Sequence, residues 1–105
     1  MCIRDSYPGA DEALDQALAR TEFPVVLADS ADNAGGGAPS DATFILERVL
    51  ARGITDVATG PFWDPVAVQL CFEAGEGAQI KLRVGGKVAP VSGQPLDLDL
   101  SLIHI

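Results

Sequence analysis

The sequence predicts an α/β fold in which short parallel strands alternate with helices, and antiparallel hairpin strands follow near the C-terminus. Apolar residues recur at helical spacing in three segments of the chain. Two short apolar runs lie between these segments, as in strands that a parallel sheet buries on both faces. From residue 79 onward apolar and polar residues alternate, which is typical of half-exposed strands. The predicted order, α-β-α-β-α-β-β, is that of a truncated α/β domain with antiparallel additions.

The first half of the chain is predicted to form a helix, a strand and a second helix. Residues 11–20 carry alanines and leucines at helical spacing. Residues 25–28 are all apolar and predict the first strand. After a glycine-rich loop, Ser40 or Asp41 can cap a helix that covers residues 44–50.

The second half is predicted to form a strand, a helix and three further strands. Asp64-Pro65 marks the start of the helix, because an N-cap residue precedes a proline at the first helical position. Gly75 ends this helix. Gly85-Gly86 predicts a tight hairpin turn between two strands. The predicted strands are residues 54–59, 79–84, 88–91 and 96–99.

Both ends of the chain are predicted to be translated adapter sequence. The codons ATG TGT ATA AGA GAC AG, which encode MCIRDS, are the reverse complement of CTG TCT CTT ATA CAC AT, which encodes LSLIHI with one more base. The pair resembles a transposon-end adapter used in sequencing libraries. Residues 1–6 and 100–105 are therefore set aside, and residues 7–99 are expected to be part of one domain. His104 lies in one of these ends, so no catalytic role is expected for it.

The composition argues against several partners. The 105-residue chain has a formal net charge of −8, so neither a nucleic acid nor an anionic membrane surface is expected to bind it.

Cys71 is the one cysteine outside the adapter-like ends, which favours a reducing compartment, and we predict a cytoplasmic protein. Its apolar neighbours predict an inert core thiol. Trp63 could stack on a ligand, but a buried loop aromatic is favoured.

The loop of residues 29–43, DSADNAGGGAPSDAT, is the predicted functional site. It connects the first predicted strand to the second predicted helix, and open α/β sheets keep their ligand crevices at such connections. Three consecutive glycines allow positive φ angles and the close approach of another molecule.

The residue types of this loop leave several chemistries open. It lacks the lysine of a phosphate loop and the spacing of a dinucleotide loop, although N–H groups at the start of the next helix could bind one anionic oxygen. Asp29, Asp32 and Asn33 offer oxygen ligands for a hard cation, but not at the spacing of a calcium loop. Without a histidine or a cysteine pair outside the ends, no zinc site is expected. Asp and Asn in turns also bond to their own backbone without any ligand.

Residues 26–43 are similar to a motif of the MlrC (microcystinase C) family of metallopeptidases. The string DxADNxGGGxPxDxT carries the resemblance and is long enough to be specific. Ala34 stands where the family usually has proline, so the turn before the glycines is expected to be less rigid. Further matches extend the resemblance to the C-terminal domain of this family over nearly all of residues 24–96: Asp64-Pro65, 74–78, 85–87 and 93–96.

The resemblance implies that the parent protein is a zinc-dependent peptidase, typified by the cleavage of linearised microcystin peptides. In that family the metal ligands are histidines and acids of a larger N-terminal domain. Zinc is therefore expected in the parent and not in this chain, which is expected to be inactive alone. The expected partners are the N-terminal domain of the same protein and a peptide substrate.

The resemblance also implies that the loop faces the cleft between the two domains. Asp32 and Asn33 are expected to act in catalysis by orienting the substrate or a metal-bound water. The glycine N–H groups are expected to receive a carbonyl or carboxylate oxygen, and Asp41 and Thr43 also hold the start of the helix. The expected substrate-binding residues are Gly35, Gly36, Gly37, Asp29, Asp41 and Thr43.

Two other functional classes stay open. The chain could be a small-molecule or nucleotide-binding α/β module that uses the glycine-rich loop. It could also be a structural lobe that only braces its neighbour.

Overall fold

The computed structural model describes residues 8–103, so residues 1–6 and His104 of the adapter-like ends lie outside the described residues. The described residues combine helices with one two-stranded antiparallel sheet. The mixed α and β class with a C-terminal antiparallel hairpin is therefore confirmed. No helix among residues 8–103 is long and apolar enough to cross a membrane. The elements are α1 (Ala10–Leu18), α2 (Phe44–Ala51), α3 (Pro65–Ala74), β1 (Gln79–Val84) and β2 (Leu96–Ser101).

Helices α1 and α2 pack together in the first half of the chain. Each buries one apolar side chain, Leu14 on α1 and Val49 on α2. On the exposed side, Nε of Arg48 lies 2.9 Å from Oδ1 of Asp11. Helix α2 ends at Ala51. Gly53, two residues further on, has a φ of 63°, the left-handed conformation that commonly follows the end of a helix.

Helix α3 begins where Asp64-Pro65 predicts it. Oδ1 of Asp64 accepts a hydrogen bond of 3.1 Å from the N–H of Ala67, so Asp64 is the N-cap. Gly75, with φ of 86°, ends the helix as expected. α3 packs on β1, and Ala67 and Leu82 are the buried apolar residues of these two elements.

Strands β1 and β2 place apolar and charged residues on opposite faces, as their alternation predicts. Leu82 pairs with Leu98 and Arg83 with Asp97. Arg83 donates two hydrogen bonds, of 2.8 and 2.9 Å, to the carboxylate of Asp97 on the exposed face. β2 continues to Ser101, two residues into the segment predicted to be adapter sequence.

Three predicted strands are wrong. Residues 25–28 and 54–59, predicted as parallel strands, have no regular secondary structure. A strand needs at least one neighbouring strand to pair its backbone groups, and among the described residues only β1 and β2 pair. Residues 88–91 do not pair with β1 either, because the connection 85–95 passes through a short 3-10 turn at Pro90–Ser92 before β2 begins.

Candidate functional site

The glycine-rich loop folds into two successive 3-10 turns, Ser30–Asp32 and Ala34–Gly36. The side chain of Asp29 caps the first by accepting a hydrogen bond of 3.0 Å from the N–H of Ala31. Oδ1 of Asn33 caps the second by accepting one of 3.0 Å from the N–H of Gly35. Both capping residues are exposed. Their oxygens thus serve the local turns, as short polar side chains commonly do.

Asp32 closes the loop. Its Oδ1 accepts a hydrogen bond of 2.8 Å from the N–H of Ser40, and its Oδ2 accepts one of 2.7 Å from the N–H of Ala42. The hydroxyl of Ser40 donates back to the carbonyl oxygen of Asp32 at 3.1 Å. The carbonyl of Ser40 in turn accepts the N–H of Trp63 at 2.8 Å. Asp32 therefore ties the first turn to the end of the loop, and Ser40 ties the loop to the segment before α3.

The three glycines are exposed, but each donates its N–H within the loop. Gly36 bonds to the carbonyl of Asn33 at 2.9 Å, and Gly37 bonds to the carbonyl of Ala34 at 3.0 Å. Gly35 bonds to the side chain of Asn33. The expectation that these N–H groups receive a substrate oxygen therefore requires the turn to rearrange.

Internal packing does not explain why residue 36 is glycine. Gly37 has φ of 93°, a conformation that other residues rarely adopt. At Gly35 a Cβ would lie 3.3 Å from Oδ1 of Asn33, a close contact with the atom that caps this turn, whereas at Gly36 a Cβ would meet nothing within 4 Å. The absence of a side chain at Gly36 leaves bare backbone open to a molecule from outside.

Asp41 and Thr43 have buried side chains. Both were expected to bind substrate and to hold the start of the second helix. Thr43 precedes α2 without a side-chain capping bond, and its hydroxyl donates instead to the carbonyl of Gln94 at 2.7 Å. The loop end is thus fixed against the connection between β1 and β2.

The connection 85–95 begins with four consecutive N–H groups that are all bound by Asp41 and Asp64. Oδ2 of Asp64 accepts the N–H of Gly85 at 2.8 Å, and the carbonyl of Asp41 accepts that of Gly86 at 2.8 Å. Oδ2 of Asp41 accepts the N–H groups of the next two residues, 87 and 88, each at 2.9 Å. We call residues 85–88 the clamped segment.

The clamped segment needs both of its glycines. Gly85 and Gly86 have φ of 68° and 61°. A Cβ would lie 2.8 Å from the carbonyl oxygen of Asp41 at Gly85, and 2.6 Å from the backbone of Gln94 at Gly86. Sequence reasoning identified these glycines as a hairpin turn and missed the clamp. The signal available was a Gly-Gly pair directly after a strand, which indicates positive φ angles but not their partner.

The charge on Asp64 is matched by a lysine that sequence reasoning also missed. Nζ of Lys87 donates to Oδ2 of Asp64 and, at 2.7 Å, to the carbonyl of Arg83. Burial raises the pKa of the Asp64 carboxyl. The bond from Lys87 and the N–H groups of Ala67 and Gly85 outweigh burial, so the pKa lies below its ordinary value of 3.8.

Asp41 is held in its charged form without a cation. Burial raises the pKa of this carboxyl as well, but the nearby hydroxyl of Ser92 and the N–H groups of Val88 and Lys87 lower it below 3.8. Within residues 8–103, Oδ1 of Asp41 and Oγ of Ser92 meet no partner at full hydrogen-bond geometry. The strong bonds of Asp41 are therefore those from the two backbone amides.

The described residues do not fit a zinc ion. Among residues 8–103, no three His, Cys, Asp or Glu side chains come together in a way that could hold a metal. Asp29, Asp32 and Asn33 turn their oxygens to backbone N–H groups, not toward a common point. The oxygen ligands considered from the sequence are thus used in folding the loop.

Trp63 and Cys71 are both less buried than the sequence predicts. The side chain of Trp63 is 59% exposed, so the expectation of a buried loop aromatic is wrong. Cys71, expected in the core, is half-buried and lines an apolar groove of about 510 Å³ between α3 and the hairpin. Phe72 stands at the same groove.

Comparison with known proteins identifies the family. A sequence profile described as MlrC C-terminus matches residues 27–105, which include the glycine-rich loop and the clamped segment. The chain belongs to the MlrC C-terminal family. Microcystinase C of Sphingomonas sp. is 51% identical over 85 residues, which make up 81% of this chain and 17% of that protein.

A solved relative has the same fold. The crystal structure of a presumed metallopeptidase from Mesorhizobium sp. BNC1 is 30% identical, with a TM-score of 0.70. The match covers 97% of this chain and 21% of the relative's chain. This MlrC C-terminal chain therefore spans about one fifth of the length of the relatives it matches.

Proposed function

We propose that this chain is the C-terminal lobe of a zinc-dependent metallopeptidase, and that its glycine-rich loop borders the cleft in which a peptide is cleaved. The match to microcystinase C supports the reaction class. The observation that carries the role of the loop is Gly36. It is exposed, and neither packing nor backbone conformation within the described residues requires a glycine there.

Asp32 and Asn33 have different roles in this proposal. Asp32 is a positioning residue, because its two carboxylate oxygens bind the amides of Ser40 and Ala42 and so fix the path of the loop. Asn33 is exposed and holds its turn through Oδ1, which leaves the amide nitrogen for contact with a peptide carbonyl. Removing either residue would move the bare backbone at residues 35–37.

Zinc belongs to another part of the parent protein in this proposal. The described residues bring no metal-ligand group together, so the ligands come from the larger domain that this chain lacks. When bound there, zinc supplies a Lewis acid and an activated water. The lobe supplies a wall of the cleft, and we expect it to hydrolyse no peptide alone.

A hybrid enzyme tests the proposal. Residues 27–99 of this chain replace the matching segment of microcystinase C, and kcat/KM is measured for a linear peptide substrate. Gly36→Leu adds a side chain where the lobe itself has open space. We expect at least a tenfold loss of kcat/KM with an unchanged melting temperature, and a similar loss for Asp32→Ala.

The matched control is Val57→Leu, which enlarges another exposed residue outside the glycine-rich loop. We expect it to leave kcat/KM unchanged. Undiminished hydrolysis in both Gly36→Leu and Asp32→Ala would contradict a role at the cleft and favour a lobe that only braces its neighbour. A rise in melting temperature of this chain on adding ATP would favour the nucleotide-binding alternative.

A further inference from the structure

Helix α3 is apolar over most of its surface. Of its ten residues, PVAVQLCFEA, only Gln69 and Glu73 are polar. They lie four residues apart, and Nε2 of Gln69 donates to Oε1 of Glu73 at 3.3 Å. They therefore form one narrow polar stripe along the helix.

An apolar stripe lies on each side of this polar stripe. At 100° per residue, Val66 and Leu70 fall on one side, and Val68 and Phe72 fall on the other. These four side chains are exposed by 59%, 44%, 48% and 82% of their surface, respectively. The face toward β1 is a different one, where Ala67 is buried. A helix of this composition is typically covered on three sides.

The described residues bury few apolar side chains for a segment of this length. Four apolar residues are buried: Leu14, Val49, Ala67 and Leu82. Fifteen large apolar side chains are exposed. Exposed apolar surface on this scale is typical of a segment that packs against another protein surface.

We propose that the two apolar stripes of α3 dock against the remainder of the parent polypeptide and form a permanent interface inside one chain. This proposal rests on the proposed function in one respect only, which is the assumption that the chain is part of a larger protein. The relative from Mesorhizobium carries the same lobe as 21% of one longer chain. Permanent interfaces resemble a protein core divided in two, and the two stripes carry no charge. The facing surface is therefore apolar and uncharged.

The groove beside Phe72 indicates where part of the facing surface would insert. It opens between α3 and the hairpin with a volume of about 510 Å³. Such a space accepts apolar side chains from a facing element, and Val68 and Phe72 form one of its walls. The other apolar stripe faces away from this groove and meets a second part of the same surface.

The test compares identical substitutions in two settings. Leu70→Gln and Phe72→Gln are made in this chain and in the hybrid with microcystinase C, and melting temperatures are measured. Leu70 and Phe72 are 44% and 82% exposed in the lobe, so we expect the isolated chain to change by less than about 2 °C. In the hybrid the same changes place a polar group in an interface, and we expect a fall of roughly 4 °C or more.

Glu73→Gln is the matched control, because it lies on the polar stripe between the two apolar ones and should change neither protein. If Leu70→Gln and Phe72→Gln lower the melting temperature of the hybrid no more than Glu73→Gln does, the stripes face water and the proposal is overturned. If the isolated chain sediments as a dimer that Phe72→Gln dissociates, while the hybrid is insensitive, the occupant is a second copy, and the proposal is also overturned.

A second measurement covers the case of an insoluble hybrid. This chain is then co-expressed with microcystinase C that lacks its matching segment, and we expect copurification that falls at least fivefold with Phe72→Gln and not with Glu73→Gln. Equal copurification of both variants would overturn the proposal. Because these readouts are stability and association, they are independent of the peptidase assay that tests the proposed function.

Discussion

Asp41 and Asp64 lie on different loops and hold the same four residues of the chain. Between them they accept the N–H groups of residues 85, 86, 87 and 88, all at 2.8 to 2.9 Å. Asp64 also caps α3, and Asp41 lies at the end of the glycine-rich loop. Buried acceptors that are satisfied in this way stabilise one arrangement of the three segments over others.

Asp64→Ala should destabilise the chain strongly. It removes the cap of α3 and leaves the N–H of Gly85 and the ammonium of Lys87 without their partner, for an expected loss of about 2–4 kcal/mol. Urea denaturation followed by circular dichroism measures it. Asp64→Asn keeps an oxygen for the cap and should lose less. Equal losses in the two variants would contradict the double role of the carboxylate.

Acid should unfold the chain by protonating the same two carboxylates. Their folded pKa values lie below 3.8, so the unfolded chain takes up protons first as the pH falls. Their contribution to stability is therefore complete above the ordinary pKa, begins to be lost as the pH falls toward that value, and is gone once the pH has fallen through the lower, folded pKa. We expect the free energy of unfolding to decrease steadily as the pH falls below about 5.

The double variant Asp41→Asn/Asp64→Asn should be less stable at neutral pH and show a shallower slope over this range. Asp56→Asn is the control, because that side chain is exposed, and we expect it to leave the slope nearly unchanged. A double variant with the slope of the original chain would place the acid sensitivity elsewhere.

Gly36→Ala and Gly86→Ala should have opposite effects on stability. At Gly86 the new Cβ would lie 2.6 Å from the backbone of Gln94, at a φ of 61°, so we expect a loss of about 2 kcal/mol or more. At Gly36 the space is open, and alanine should be neutral or stabilise by up to about 1 kcal/mol through the unfolded state. Thermal denaturation of both variants checks this, and a destabilised Gly36→Ala would reveal packing at the glycine turn.

Asp32→Ala should loosen the glycine-rich loop more than the rest of the chain. The amides of Ser40 and Ala42 lose their acceptors, so their hydrogen exchange, followed by NMR, should speed up at least tenfold. The cost in global stability is expected to be about 1–3 kcal/mol. The amide of Leu82, in β1, provides the internal reference. If the substitution speeds up exchange at Ser40 and Ala42 no more than it speeds up exchange at Leu82, Asp32 does not close the loop.

Local signals predicted those elements that depend on local chemistry. Asp64-Pro65 and Gly75 bound α3 as expected, and the alternation of residues 79–84 gave β1 and its two faces. Capping and side-chain alternation act over a few residues, and such signals can be found in a single sequence. The strand predicted at residues 25–28 failed for the opposite reason, because its pairing depends on partners that the described residues do not supply.

At the candidate site, too, local contacts could be predicted from the sequence and long-range contacts could not. The Asx-type turns at Asp29 and Asn33 are local, and the sequence left them open as an alternative to ligand binding. The burial of Asp41 and its bonds to residues 87 and 88 join parts of the chain that are more than forty residues apart. No spacing or motif within the loop reports such a contact. The sequence therefore indicated a role for Asp41 in the loop, but not its bonds to the clamped segment.

The second 3-10 turn of the loop, Ala34–Gly36, keeps its shape through hydrogen bonds with the residues next to it. A docking molecule thus meets a surface that is already ordered, and little chain entropy is lost when it arrives. Such preorganisation favours fast, shape-selective contact over adaptable recognition. We expect this edge of the lobe to discriminate among partners by steric fit.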